Sequence, residues 1–282
     1  MRFLITGSTG LLGPYLVNAF EPCGEVFTVA RNCGTDYSAD LTHPEQAKDV
    51  MRKAEPDIVI HAAALTDVDA CQRNAREAYR FNRNMVDNIV SVLSEKSRLV
   101  LISSDQVYPD VAGLHAEEDT APINTYGESK LAGEACALSR NDSLVVRTNI
   151  FGPSLTKGRV SLSDFFVTSF AEHREISIFS DILFSPLHLA SAASMIARLT
   201  MADCHGVYNL GSNSGMSKAD FGLAIAKHLG LDAGSAAIVE GAQRGGVPRL
   251  RDMRLDVRKV EHELGCTMPT LMDEIRLLTL IS

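Results

Sequence analysis

Tyr126 and Lys130 stand four residues apart in the segment Tyr126-Gly127-Glu128-Ser129-Lys130. At the start of a helix that spacing sets both side chains on one face, one turn apart. A free phenol has a pKa of about 10 and is a poor base at neutral pH. A nearby ammonium favours the phenolate, and each tenfold gain in the ionised fraction takes about 1.4 kcal/mol. Such a tyrosine can give a proton to a carbonyl oxygen, or take one from an alcohol, as hydride moves. Ser104, just past a strand-like apolar run, is placed to hydrogen-bond the same oxygen.

The Tyr-x-x-x-Lys spacing alone is common in soluble helices, so its meaning depends on the elements that would position it. The N-terminal stretch reads RFLITGSTGLLGPYLVNAF from Arg2 to Phe20. Phe3, Leu4 and Ile5 predict a buried strand, and Leu11, Leu12, Leu16, Val17 and Phe20 a helix. Between them Gly7, Gly10 and Gly13 recur in a Gly-x-x-Gly-x-x-Gly spacing. A strand, a glycine-rich turn and a helix N-terminus form a pyrophosphate site, with Gly13 allowing close helix–strand packing. Gly7, Thr9, Gly10, Leu11, Leu12 and Gly13 are thus candidates to bind a dinucleotide, and Lys130 a candidate to hold its nicotinamide ribose. After a second strand, Glu25–Val29, comes Ala30-Arg31-Asn32, with no carboxylate until Asp36. An Arg at that strand end suits the 2′-phosphate of NADP, whereas an acidic residue would suit the 2′-hydroxyl of NAD.

Further along, the pattern predicts a helix over Pro44–Ala54, a strand over Asp57–His61 and a small-residue strand end at Ala62, Ala63 and Ala64. A long helix is expected over about Arg73–Lys96, carrying Asn82 within its apolar stripe. Then come a strand ending in Ser103-Ser104-Asp105, a helix near Ser129–Leu138 and a strand at Leu144–Val146. Alternating strands and helices predict an α/β fold, a doubly wound parallel sheet of the Rossmann type. Beyond it we expect helices at Ser163–His173 and Leu189–Met201, and a strand at Gly206–Leu210. Another helix is capped by Ser217 with Asp220, and a terminal one covers Leu271–Ile281. The expected division is a dinucleotide-binding domain at 1–150, to which about 187–210 returns. A smaller, partly interleaved substrate lobe takes 151–186 and 211–282.

The composition is 45% apolar and 22% charged, and the net charge of −8 argues against a general nucleic-acid binder. No apolar run reaches the roughly 18–20 residues needed to cross a membrane, and a core strand at the N-terminus leaves no room for a signal peptide. The six cysteines, Cys23, Cys33, Cys71, Cys136, Cys204 and Cys266, form no Cys-x-x-Cys pair. Reduced thiols, a cytoplasmic location and no metal site are expected.

Taken in order, the glycine turn, Arg31, the alanine-rich strand end, Asn82, Ser104, Tyr126 and Lys130 make the chain resemble the extended short-chain dehydrogenase/reductase superfamily. Within it, the likeness is nearest to the dTDP-4-dehydrorhamnose reductases. It is carried by Ala39-Asp40-Leu41, Pro56 to Ala64, Ser103 to Tyr108, Pro122 to Glu134, Val146-Arg147-Thr148, Ser163-Asp164-Phe165 and Arg254-Leu255-Asp256. The resemblance implies NADPH-dependent reduction of a nucleotide-linked 4-keto sugar. It gives Ser104, Tyr126 and Lys130 catalytic roles and Asn82 a structural or proton-relay role. It sets Asp40 near the adenine and Ala62–Ala64 along the cofactor, and counts Leu41 and Ser103 among the cofactor-binding residues. Ser104, Asp105 and Asn149 would meet the substrate. A homodimer through the Tyr126 helix and the Arg73–Lys96 helix is implied as well. Three features depart from the reductase pattern: Asn149-Ile150-Phe151-Gly152-Pro153 looks more like epimerases and dehydratases, Ser104 replaces a customary Thr, and there is no Trp. The alternatives are therefore an epimerase or dehydratase that keeps NAD, for which Asp105-Gln106 supplies half of an acidic pair, and a dinucleotide-binding regulatory subunit without turnover.

Overall fold

The computed structural model describes residues 1–31, 34–241 and 246–280, so that Asn32, Cys33 and Ile281 lie outside the described residues. Six strands follow the chain as β1 (Arg2–Thr6), β2 (Glu25–Ala30), β3 (Tyr37–Ser38), β4 (Ile58–His61), β5 (Arg98–Ser104) and β6 (Leu144–Thr148). With Gly206–Leu210 they form one parallel seven-stranded sheet, ordered Gly206–Leu210, β6, β5, β4, β1, β2, β3. The expected doubly wound sheet is thus present, and its order reverses between β1 and β4, where such sheets bind ligands at their carboxyl ends. In register, Thr6 lies beside His61, and Ser104 beside Thr148, so these strand ends open on one edge.

The strands read as apolar runs because both faces are covered. On one face Phe3, Ile5, Ile60, Val100 and Val146 pack with α1 (Gly13–Phe20) and with the helix Leu189–Met201. On the other, Leu4, Val59, Leu101 and Val145 pack with α2 (Pro44–Ala54) and the helix Met85–Val92. A separate core of Phe151, Phe166, Phe170, Phe184 and Phe221 builds the C-terminal half. Leu183–Phe184 pairs there with Met216–Ser217 and with Asp252–Met253, and Ile176–Phe179 pairs with Ala236–Val239.

Two helices differ from expectation. The Arg73–Lys96 stretch is not one rod: Val68–Arg73 ends at Asn74, whose side chain accepts from Glu77 N at 3.1 Å and starts Ala75–Tyr79. A wider π turn then runs over Arg80–Asn84 before Met85–Val92. The helix Thr125–Ala137 crosses there so closely that a Cβ on Gly133 would lie 2.1 Å from the Asn82 carbonyl oxygen. At the C-terminus the helix covers only Leu271–Ile275, fixed by a capping box between Thr270 and Asp273. The described cysteines are unpaired. Among the described residues, no helix is long and apolar enough to cross a membrane.

Candidate active site

The turn after β1 needs its glycines for two separate reasons. Gly7 has a φ of 68°, and a Cβ on it would lie 2.7 Å from Ala63 N. On Gly13 a Cβ would lie 2.4 Å from the Gly7 carbonyl oxygen, so α1 can sit against the turn only without one. No side chain caps α1 and its first turn has no acidic residue, which leaves its N–H groups and positive dipole end for an anion. These residues therefore fit a dinucleotide: the cradle is what a side chain would fill.

A cleft of about 1200 Å³ starts at this turn and collects nearly all the expected site residues. Gly7, Thr9, Gly10, Leu11, Leu12 and Gly13 line it, as do Ala62, Ala63 and Ala64 at the end of β4. Arg31, Asp40, Leu41 and Phe81 line one end. The Arg31 guanidinium stacks 5.1 Å from the Phe81 ring centroid and makes no ion pair among the described residues. Asp40 is held below the usual carboxylate range despite its partial burial: Thr42 donates to it at 3.0 Å through its backbone N, and Arg80 lies 3.4 Å away.

Ser103, Ser104, Asp105, Tyr126, Lys130 and Asn149 line the cleft further along. The helix carrying Tyr126 and Lys130 is capped by Asn124, which accepts from Gly127 N at 2.9 Å. A Cβ on Gly127 would meet the Gln106 carbonyl oxygen at 2.1 Å, so this glycine lets the helix press against the turn that follows Ser104. Ser104 Oγ donates to Asp105 Oδ1 at 3.1 Å and accepts from Gln106 N at 3.2 Å, beside the Tyr126 phenol. Asn149 Nδ2 donates to Asp105 Oδ2.

The electrostatics correct one expectation. Lys130 does not draw the phenol toward phenolate here: burial, and after it the Asp105 charge, hold the Tyr126 pKa well above its ordinary value, against the pull of the Ser104 hydroxyl. Lys130 itself is buried, its Nζ donates to Ile102 O at 2.7 Å, and burial pulls its pKa down to about 8. At neutral pH burial keeps the phenol protonated.

Asn82 is the one expected site residue that stays outside the cleft. Its Nδ2 donates to Leu65 O and to Ser129 Oγ, both at 3.0 Å, and its Oδ1 accepts from Leu65 N at 2.8 Å. All the polar atoms of its side chain are engaged in tying the segment after β4 to the Tyr126 helix. Two groups carry no signal in the sequence. Arg147 Nη2 and Glu134 Oε2 form a buried pair at 2.7 Å that clamps the same helix to β6. Lys218 and Arg249 enter the cleft from the C-terminal half.

His61, beneath the cleft, is buried, and Thr6 Oγ1 lies 2.7 Å from its Nδ1. Burial, then the Lys130 charge, depress its pKa to about 3. The unfolded chain takes a proton at this ring below about pH 6.5, while the folded protein resists until about pH 3. Stability is therefore expected to fall as pH drops through that window, by roughly 2–3 kcal/mol from this ring near about pH 4.5. Urea midpoints measured against pH should show the fall, and His61→Gln should flatten it.

With this geometry in place, the comparisons with known proteins agree on one family. The family model described as the RmlD substrate binding domain matches residues 1–279. A probable low-salt glycan biosynthesis reductase of Haloferax volcanii is 29% identical over 98% of this chain and 96% of its own length. A crystal structure of a hypothetical dTDP-4-dehydrorhamnose reductase from Sulfolobus tokodaii superposes with a TM-score of 0.87 at 31% identity, covering 99% of this chain and 100% of that one. A dTDP-4-dehydrorhamnose reductase of Bacillus anthracis, solved in complex with NADP, superposes with a TM-score of 0.87 at 25% identity over 98% and 96% of the two chains.

Proposed function

The chain belongs to the RmlD substrate-binding family of extended short-chain dehydrogenase/reductase-type oxidoreductases, and from that premise we propose that it reduces the 4-keto group of a nucleotide-linked sugar with NADPH. The observation that carries the proposal is a buried Tyr126 that shares one cleft with Ser104, Lys130 and the glycine turn. NADPH, when bound, supplies the hydride. With substrate bound, Ser104 would turn its hydroxyl hydrogen from Asp105 to the carbonyl oxygen, Tyr126 would give that oxygen a proton, and Lys130 would hold the ribose through its Nζ. In this reading 1–150 with 187–210 seats the cofactor, and 151–186 with 211–282 covers the sugar. The homodimer implied by the resemblance belongs to the same reading.

A dehydratase would need an acid–base pair beside the tyrosine. Gln106, not a carboxylate, follows Asp105, and its Nε2 is turned to the Met253 sulfur at 2.8 Å, which favours the reductase. NADPH oxidation followed over a panel of 4-keto nucleotide sugars tests the proposal; turnover of none, or redox-neutral conversion without NADPH, would falsify it.

The choice of NADPH rests on Arg31, whose exposed guanidinium lies at the cleft end with no ion-pair partner among the described residues. A phosphate there gains a charge-assisted, bidentate partner. Arg31→Asp is expected to weaken NADPH binding by about ten- to a hundredfold while NADH binding holds or improves. Fluorescence titration with both dinucleotides measures this.

A further inference from the structure

A segment of the C-terminal half is tied to the glycine turn itself. Residues 153–160 run from the strand Ile150–Phe151 to the helix Leu162–Ala171, whose start is fixed by a capping box between Ser161 and Asp164. Two side-chain bonds hold this segment to the N-terminal domain. Tyr15, on α1, donates through its hydroxyl to Pro153 O at 2.8 Å, and Thr156 Oγ1 donates to Gly10 O at 3.2 Å. Gly10 stands in the turn, 146 residues earlier in the chain. Leu155 and Val160 on the same segment are 55% and 68% exposed, so apolar burial does not hold it there. The two bonds do.

Arg159 is placed by the second of them. Its backbone N donates to Thr156 O at 3.1 Å, so two hydrogen bonds lead from Gly10 to Arg159. Gly158, Arg159 and Val160 line the cleft along with the turn. Among the described residues the exposed Arg159 guanidinium has no carboxylate within ion-pair distance. The other side of the turn is short of positive charge. The N-terminus of α1 offers its N–H groups and a dipole end worth roughly half an elementary charge, less than a pyrophosphate carries. Arg31 lines the far end of the cleft, and Lys130 gives a hydrogen to Ile102 O. A guanidinium brought in from the facing segment supplies the missing charge, in a planar fork that matches phosphate oxygens.

We propose that residues 153–160 form a strap over the glycine turn, and that Arg159 on it binds the dinucleotide's pyrophosphate from the side opposite α1. Thr156 is then a positioning residue, acting through its bond to Gly10 O. The strap rests on the dinucleotide part of the function proposed above and on none of its sugar chemistry. The bond to the turn assigns Arg159 to the cofactor's pyrophosphate rather than to the diphosphate of a sugar nucleotide.

The test measures binding of NADPH, NADH, 2′-AMP and dTDP by calorimetry for wild type, Arg159→Gln, Thr156→Val and the double variant. Arg159 is exposed, so glutamine leaves no core contact unfilled. Arg159→Gln should weaken NADPH and NADH alike, by about ten- to thirtyfold for the loss of one charge-assisted pair. Affinity for 2′-AMP, which carries the ribose phosphate but no pyrophosphate, should not change, nor should affinity for dTDP. Arg159→Lys keeps the charge without the fork and should recover part of the loss. Thr156→Val should weaken both dinucleotides, Thr156→Ser should bind them as wild type does, and the double variant should lose less than the two losses multiplied. Unchanged dinucleotide affinity in Arg159→Gln would overturn the strap. So would an equal loss for dTDP, which puts Arg159 on the sugar nucleotide, or a loss for NADPH and 2′-AMP with NADH spared, which puts it on the ribose phosphate. Losses that multiply in the double variant would overturn the positioning by Thr156. Should wild type bind both dinucleotides yet reduce no nucleotide sugar, the reductase proposal fails and the binding data alone decide the strap.

Discussion

Tyr126→Phe should lose about 10²–10⁴-fold in kcat while binding NADPH as tightly as wild type. The substitution removes one oxygen and little else: the ring is 7% exposed and packs with Cys71 and Ala78, so Phe keeps the contacts. What disappears is the proposed proton donor. The phenol is held protonated by burial and by the Asp105 charge, and neither Ser104 nor Lys130 is placed to replace it. Ser104 already gives its hydrogen to Asp105, and Lys130 gives one to Ile102 O. A variant that lost both turnover and cofactor binding would mean a damaged cleft rather than a missing acid. Calorimetry with NADPH alongside single-turnover kinetics separates the two.

Glu134→Ala should destabilise the fold by about 3–5 kcal/mol, the largest stability effect expected of a single substitution near the site. Glu134 accepts from Arg147 Nε at 3.1 Å on both oxygens and from Nη2 at 2.7 Å, and it also takes the Ser103 hydroxyl hydrogen. Both side chains are nearly inaccessible, at 1% and 4%. Removing the carboxylate leaves the Arg147 charge buried with only the Tyr108 hydroxyl and the Glu117 carbonyl to meet it. The same pair joins the Tyr126 helix to β6, so activity should fall before global unfolding as temperature rises. Chemical denaturation gives the energy. A double variant with Arg147→Met should recover part of it, since an apolar pair at these positions leaves no charge stranded.

Much of this is legible in the sequence because local rules and tertiary need agree. Phe3 to Ile5 and Leu99 to Ile102 are apolar runs because the sheet buries both faces. The glycines at 7 and 13 are glycines because backbone passes within van der Waals reach of their missing Cβ atoms. Tyr126 and Lys130 share a face because the helical period puts them there. Three features stay hidden for a common reason: each depends on a distant partner. The π turn at Asn82 answers the crossing at Gly133, which helical periodicity cannot register. The phenol's pKa depends on how deeply the helix is buried, so a neighbouring lysine alone points the wrong way. Lys218 looks like an ordinary helix-starting residue after its Ser217 cap, because nothing nearby in sequence shows that its side chain turns into the cleft.

In the proposed function the glycine turn and Tyr126 serve one reaction centre, where hydride reaches a sugar carbonyl. Incubating the protein with dTDP-4-dehydrorhamnose and NADPH carrying deuterium at the nicotinamide C4 tests it most directly, with the product read by NMR. One deuterium at C4 of the sugar, formed by wild type and absent with Tyr126→Phe, is the predicted result. Product formed without deuterium at that carbon, or formed equally by the phenylalanine variant, would contradict the account.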